Sequence, residues 1–283
     1  MKQILLIASG ILGLAVSSQA GLVAHYPFDE AAGATLAIDQ LGGTSGAIGG
    51  SVITGVIGIA GGAYQFPDLT TQAGIVDMGN ASFFAGLSGL NASTQLTYSV
   101  WMNSTDADAN RNTIVYSGSD TVANSYTDLG LSGTAGSVGA ASARNRPVGA
   151  GAAQQVGIFS PITINDGAWH HLVMTIDLSP GILHLYVNGA LANTQNFSAN
   201  AVLFPVFNNF EIGRLGRQGT QVDAFGGLVD DLQVYNTALS AEDVGFLFAN
   251  PGMAVPEPGS FALVGLGLLP LVRRRRARVT SNK

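Results

Sequence analysis

Short runs of alternating apolar and polar residues, separated by glycine-rich turns, recur along most of this chain and predict β-strands. Leu96-Thr97-Tyr98-Ser99-Val100-Trp101-Met102 alternates with the two-residue period of a strand buried on one face. Leu22 to Phe28 is a short apolar run ended by Asp29, Thr113 to Tyr116 and Leu172 to Ile176 are rich in β-branched residues, and Phe210 to Gly213 and Leu228 to Tyr235 add two further runs. The strongest turn signal is Asn188-Gly189 between Ile182–Val187 and Ala190–Thr194. A two-residue type I′ turn needs positive φ at both central positions, which Asn and Gly tolerate. One short helix is predicted after Ser240, where Ser240-Ala241-Glu242-Asp243 supplies an N-cap and an acidic first turn before Val244, Phe246, Leu247 and Phe248. Glycine and alanine crowd residues 130 to 153, which read as an extended surface loop. Many short strands with so little helix imply an all-β fold, two antiparallel sheets packed as a sandwich.

The two ends carry a different pattern. Lys2, the apolar stretch Ile4 to Val16 and Ser18-Gln19-Ala20 have the layout of a signal peptide over residues 1–20, cut after Ala20. At the other end Val255-Pro256-Glu257-Pro258 precedes an apolar run of 12 residues, Phe261 to Val272, and then Arg273, Arg274, Arg275 and Arg276. That run is short of the ~20 residues that cross a hydrocarbon core, and a dense cationic flank resists translocation. A break, a short greasy segment and a basic stop make residues 251–283 a sorting tail that holds the chain transiently at the membrane through 261–272 and is then removed. The tail resembles the PEP-CTERM signals that exosortase-type enzymes process in Gram-negative, exopolysaccharide-producing bacteria. The resemblance implies an exosortase-like processing partner and delivery to the cell envelope, outer surface or extracellular matrix. A short C-terminal membrane anchor is the alternative.

Setting both ends aside leaves residues 21–250 as one domain, with five basic residues against seventeen acidic ones, a net charge of −12 where the whole chain carries −6. Such a body repels nucleic acid and anionic lipid and suits cations or uncharged polymers. The chain has no cysteine, so disulfides contribute nothing to its stability.

Several local strings resemble laminin G-like domains of the concanavalin A-like lectin and glucanase type. They are Leu22-Val23-Ala24-His25-Tyr26-Pro27-Phe28-Asp29-Glu30 with Gly33 and Asp39, Asp166-Gly167-Ala168-Trp169-His170-His171-Leu172-Val173, Leu185-Tyr186-Val187-Asn188-Gly189, and the stretch from Phe225 through Asp230-Asp231 to Ser240. The resemblance implies a jelly-roll sandwich spread over most of residues 21–250. Residues 117 to 155 match little of it, so no ligand loop there is inherited.

Candidate chemistry is sparse. A related branch of the fold cleaves β-glucans with two glutamates about an aspartate, because retaining hydrolysis needs an acid and a nucleophile ~5 Å apart. Residues 21–250 hold only Glu30, Glu211 and Glu242, with no such spacing, and Asp106 and Asp108 sit in a polar turn. His170 and His171 are adjacent on a strand and point to opposite faces, one into the core beside Trp169 and one outward, so they do not ligate one metal together. No catalytic residue is assigned. Calcium is the expected cofactor. Asp230 shares strand parity with Leu228, Leu232 and Val234, which turns its carboxylate inward, where a lone charge is costly unless paired or metal-bound. The resemblance supplies Asp39 as its helper near the first turn, with main-chain carbonyls completing a hard-cation site. The alternative is that Asp230 accepts backbone hydrogen bonds at a bulge, with Asp231 in solvent. Two functions remain: a non-catalytic recognition or matrix module that binds polysaccharide or a surface protein through the concave sheet or the loops, with Tyr98, Trp101 and Tyr186 as candidate contacts, or a glycan-active enzyme. A purely structural biofilm component is a third.

Overall fold

The computed structural model describes residues 21–67, 74–79, 94–108, 110–119, 126–146, 155–197, 208–217 and 220–256. The signal peptide with its cut after Ala20, and the tail residues Glu257, Pro258 and Arg273 to Arg276 with the apolar run 261–272, lie outside the described residues.

In chain order the first elements are β1 (Leu22–Tyr26), β2 (Leu36–Ala37), β3 (Gly46–Gly49), β4 (Ile53–Ile57), β5 (Gly62–Phe66), β6 (Ile75–Asp77), β7 (Gln95–Asn103), β8 (Asn112–Gly118) and β9 (Tyr126–Leu131). They continue with β10 (Ala140–Arg146), β11 (Val156–Thr163), β12 (Trp169–Asp177), β13 (Ile182–Val187), β14 (Ala190–Asn196), β15 (Asn209–Ile212), β16 (Leu215–Arg217), β17 (Thr220–Val222), β18 (Gly227–Tyr235) and α1 (Ala241–Ala249). The first sheet runs β14-β13-β12-β7-β18-β5-β4, with β1 also paired to β18; the second runs β11-β10-β9-β8-β15-β6-β3-β2. Every ladder is antiparallel, the architecture the alternating pattern predicts.

The core lies between the sheets because alternate residues of each strand point into it. Leu96, Tyr98, Val100 and Met102 of β7 and Leu172, Met174 and Ile176 of β12 face Val115, Leu129, Leu131, Ala141, Ala143, Phe210 and Ile212 of the second sheet. The Tyr98 and Phe210 rings meet across it, 5.8 Å between centroids. The predicted hairpin is present, with Asn188 at φ 50° and Gly189 at φ 78°.

Two expectations change. Residues 130 to 153 are no surface loop throughout: they hold the end of β9 and all of β10, and Ala140 to Asn145 are buried. Small residues stand there because the strands pack closely; a Cβ on Gly130 would lie 2.1 Å from the Asn112 carbonyl oxygen. Composition alone confuses a tightly packed strand with a mobile loop. The parity argument for Asp230 also fails. Asp231 adopts φ 49° and breaks the register between Asp230 and Gln233, so Val229, Leu232 and Val234 face the core. Asp230 pairs with Trp101 on the opposite face. The bulge thus reverses the side on which its carboxylate emerges.

Helix α1 forms where expected. Ser240 accepts from the Asp243 amide and Asp243 reaches back to the Ser240 amide, a reciprocal cap. Val244 and Leu247 cover Val173, Tyr186 and Tyr235 on the outer face of the first sheet. Phe248 stacks on Trp101 at 5.7 Å, and Trp101 on His171 at 5.0 Å. Ser240→Ala is expected to cost about 1 kcal/mol, read as a lower urea midpoint at unchanged m value; an unchanged midpoint would show that packing alone holds the helix.

Candidate functional site

The outer face of the second sheet, the face that α1 does not cover, carries a row of polar side chains fixed by strand register. Gly157, Arg144, Asp128, Tyr116, Glu211 and Asp77 are neighbours across β11, β10, β9, β8, β15 and β6. Beside it runs a second row, Arg146, Tyr126, Gly118 and Asn209. All point outward because Ala143, Leu129, Val115 and Phe210 point inward.

Glycines let the long side chains lie flat. A Cβ at Gly157 would touch Arg144 Cγ at 3.3 Å, one at Gly118 would lie 2.6 Å from Tyr116 Cζ, and one at Gly216 would lie 2.3 Å from the Glu211 carboxylate. Arg144 Nε donates to Asp128 Oδ1 at 3.1 Å and its Nη2 lies 2.7 Å from Oδ2, a two-pronged pair buried on both sides. The guanidinium also stands 5.1 Å above the Tyr126 ring, and Tyr126 packs with Tyr116 and Leu215. Arg214 Nε donates to Glu211 Oε2 at 2.9 Å.

Burial pushes the Asp128 carboxyl up to about 7; Arg111 works against this shift and Asp223 adds to it. Burial likewise raises the Tyr126 hydroxyl, with Asp128 adding to the shift and Arg146 and Arg111 opposing it. Arg111 and Arg146 therefore reach the same patch as Arg144. Of the five basic residues of 21–250, Arg144 and Arg146 belong to β10, Arg111 precedes β8 and Arg214 follows β15, while Arg217 ends β16, which pairs with β17 in a separate two-stranded sheet. Residues 126–146, which matched little in sequence, thus supply much of this face. The available signal was the i, i+2 spacing of Ser142, Arg144 and Arg146.

The two expected calcium ligands hold different turns. Asp39 Oδ1 accepts from the His25 and Leu41 amides and Oδ2 from Gly43, so both oxygens are engaged by N–H donors. Asp230 Oδ2 accepts from Ile59 at 2.8 Å and Ala60 at 3.0 Å, while its Oδ1 is buried without a hydrogen-bond partner. Burial raises the Asp230 carboxyl to about 7; Asp231 adds to the shift, and the Ala60, Ile59 and Asp231 amides oppose it. Asp29, not singled out in the sequence, grips the same turn through Gly62 N at 2.5 Å. Among the described residues no group of three or more His, Asp or Glu is arranged to hold a metal. Asp231 does not face solvent: it is buried, its Oδ1 meets His25 Nε2 at 2.7 Å and Gln233 Nε2 at 2.9 Å, and its Oδ2 accepts from Gly252.

Other expected contacts are interior. Tyr98, Trp101 and Tyr186 are all buried and offer no exposed ring. His171 packs against Trp101, not Trp169, beneath Phe248; burial lowers it to about 4, with Asp231 opposing, and its Nε2 meets Ser99 Oγ at 2.8 Å. His170 lies between Asp166 and Asn188 at the strand end. A cleft of about 470 Å³ beside β5, β7 and β18 is lined by Gln65, Phe66, Asn103, Asp106 and Leu228, and Asp106 is the one ionisable residue in its wall. Glu30 is tied to Tyr64 and the Ile38 amide, Glu211 to Arg214, and Glu242 lies in the first turn of α1.

Arg144→Ala is expected to destabilise by about 3–5 kcal/mol, because it strands a buried carboxylate. Adding Asp128→Asn to that variant should recover much of the loss in urea unfolding, since the uncompensated charge is then gone; a double variant no more stable than the single one would contradict the pairing.

Residues 77–245, more than half of the chain, match the concanavalin A-like lectin/glucanases superfamily, and residues 254–276 match the PEP-CTERM protein-sorting motif. That motif marks an exported protein handled by an exosortase at the cell envelope. Among solved structures the chain is similar to domain 4 of AbnA, an extracellular arabinanase from Geobacillus stearothermophilus solved with arabinotriose, at TM-score 0.57 and 20% identity over 81% of this chain and 99% of that one. It is similar to the Ruminococcus gnavus IT-sialidase CBM40, at TM-score 0.51 and 18% identity over 66% and 96%. It is also similar to the binding domain of botulinum neurotoxin DC solved with SialylT, at 0.58 and 14% over 81% and 51%, about half of that chain. Identities this low establish shared architecture alone. With its two facing antiparallel sheets and its matched sequence, this chain belongs to the concanavalin A-like lectin/glucanase superfamily and carries a PEP-CTERM sorting tail.

Proposed function

We propose that the protein is a non-catalytic glycan-recognition module, displayed at the outer surface or in the matrix of a Gram-negative bacterium once an exosortase-type enzyme has acted on its tail, and that it reads its ligand on the outer face of the second sheet. One observation carries this: in a body of net charge −12, four of the five cations lie on that sheet or the turns at its strand ends, three of them converging around Asp128 and Tyr126. Arg144 and Arg214 are held by buried carboxylates, so Arg111 and Arg146, both half-buried, are the cations of this face left to meet a ligand. The relatives named above support the reading, since three of them are binding or carbohydrate-associated domains by their descriptions. Against an enzyme, the cleft wall offers Asp106 alone, where hydrolysis of a glycoside needs two carboxyl groups.

A glycan array and a reducing-sugar release assay on the purified exported chain separate the two. Binding without turnover is expected; turnover lost on Asp106→Asn would replace the module with a hydrolase.

We also propose a calcium ion at Asp230, bound through its partnerless Oδ1, with Asp39 left to its own turn. Because folding raises this carboxyl above its unfolded value of 3.8 to about 7, its stabilising contribution is complete below pH ~4 and lost as pH rises through 7. In chelator the protein should therefore lose stability as pH rises from ~4 to 7, and Asp230→Asn should lose less. Added Ca²⁺ should raise the wild-type Tm at pH 8 and leave the variant unmoved; a wild-type Tm indifferent to Ca²⁺ rules the ion out.

A further inference from the structure

We propose a second carbohydrate site, on the outer face of the first sheet: a strip for an uncharged, hydroxyl-rich glycan chain laid across the strand ends that α1 leaves bare. It is independent of the second-sheet surface and goes beyond the recognition reading given above.

Strand register assembles the strip. Trp169 of β12, Asn103 of β7, Leu228 of β18, Gln65 of β5 and Ile53 of β4 are successive neighbours across five strands. All point away from the core because Met102, Val229, Tyr64 and Phe66 point into it. In the next outward-facing row lie Trp101 and His171, and Phe248 of α1 stacks over both. The strip has no such cover: Gln65 and Ile53 are exposed, and Trp169, Asn103 and Leu228 are half-buried. Four strand spacings of ~4.8 Å make it roughly 19 Å long, the reach of an oligosaccharide and not of a single sugar.

The middle of the strip, Asn103, Leu228 and Gln65, lines the cleft of about 470 Å³, with Thr105 and Asp106 from the turn after β7 in its wall. Asn103 Nδ2 donates to the Gly167 carbonyl oxygen at 2.7 Å, which fixes the amide and leaves its Oδ1 to accept from a ligand. The Gln65 amide makes no hydrogen bond among the described residues. A primary amide both donates and accepts, as a sugar hydroxyl does, so the two amides match a chain of vicinal hydroxyls. Trp101 is sealed inside, so Trp169 is the indole left at the surface, a ring on which the apolar face of a sugar can rest. Leu228 and Ile53 extend that apolar contact on either side of Gln65. Among the described residues Asp106 is the one ionisable group in the cleft wall; in a body of net charge −12 an acidic chain is repelled there and an uncharged one is not.

The test titrates the purified exported chain with cellohexaose, laminarihexaose, mannohexaose and xylohexaose, beside polygalacturonate, by calorimetry and tryptophan fluorescence. At least one hexaose is expected to bind and to shift the emission, since Trp169 is the accessible one of the chain's two tryptophans. Trp169→Ala should weaken that binding about ten-fold. Gln65→Ala, at an exposed residue, should weaken it about five-fold at unchanged Tm, which separates a lost contact from lost folding. Arg146→Ala should leave it unchanged. Hexaose binding that Arg146→Ala removes and Gln65→Ala spares would overturn the strip and leave the second-sheet reading standing, as would binding to polygalacturonate alone. Silence toward every hexaose would also overturn it, and self-association abolished by Ile53→Ser would then give this face to a second copy of the chain.

Discussion

The left-handed residue Asp231 in β18 is the constraint on which the first sheet and both chain ends depend. The strand lies at the sheet's centre, paired with β7, β5 and β1. A non-glycine residue at φ 49° costs energy unless its surroundings repay it. Here they do so through adjacent carboxylates that the bulge aims at different segments. Asp230 caps the Ile59–Ala60 turn between β4 and β5; Asp231 binds His25 of β1, Gln233 of its own strand and Gly252 beyond α1. A regular strand would alternate its side chains and could not aim two consecutive carboxylates away from the core. The bulge therefore joins the first strand, an edge hairpin and the C-terminal segment through one dipeptide.

On the second sheet the same shortage of cations has the opposite result. Lysine is missing from residues 21–250, and each of the five arginines has a rigid fork that a flexible ammonium would not provide. Two are spent neutralising buried acids, Arg144 on Asp128 and Arg214 on Glu211. A buried pair of this kind adds little net stability by the usual balance of desolvation against attraction. Its effect is positional: it fixes the floor of the patch, so that Arg111 and Arg146 stand at its margins in defined places.

What the sequence showed depended on how local its cause was. The Asn188-Gly189 hairpin, the Ser240 cap and the alternation of β7 are set by neighbouring residues, and each appears where the pattern placed it. Asp230 was misdirected because parity assumes an unbroken strand, and nothing in Asp-Asp announces a residue in the left-handed region. Tyr98, Trp101 and Tyr186 were read as possible contacts because alternation gives two faces without saying which is covered; both are, one by the opposite sheet and the other by α1. Residues 126–146 were illegible for a compositional reason. Alanine, serine and glycine lower strand propensity, yet they are the side chains that let β8, β9 and β10 pack closely while Arg144 and Tyr126 lie across them.

The junction with the sorting tail follows from the same chain of contacts. Residues 250–255 run under the outer face of the first sheet: Gly252 donates to Asp231, Gln233 donates to the Met253 carbonyl oxygen, and Val255 meets the Tyr235 hydroxyl at 3.4 Å. The sorting motif begins at residue 254, so the domain holds the chain up to the motif's first residues, with no spacer between them. Removing everything beyond this strap leaves each of those hydrogen bonds intact. It also takes away six of the chain's twelve basic residues. The arginines that remain are then Arg111, Arg144, Arg146, Arg214 and Arg217.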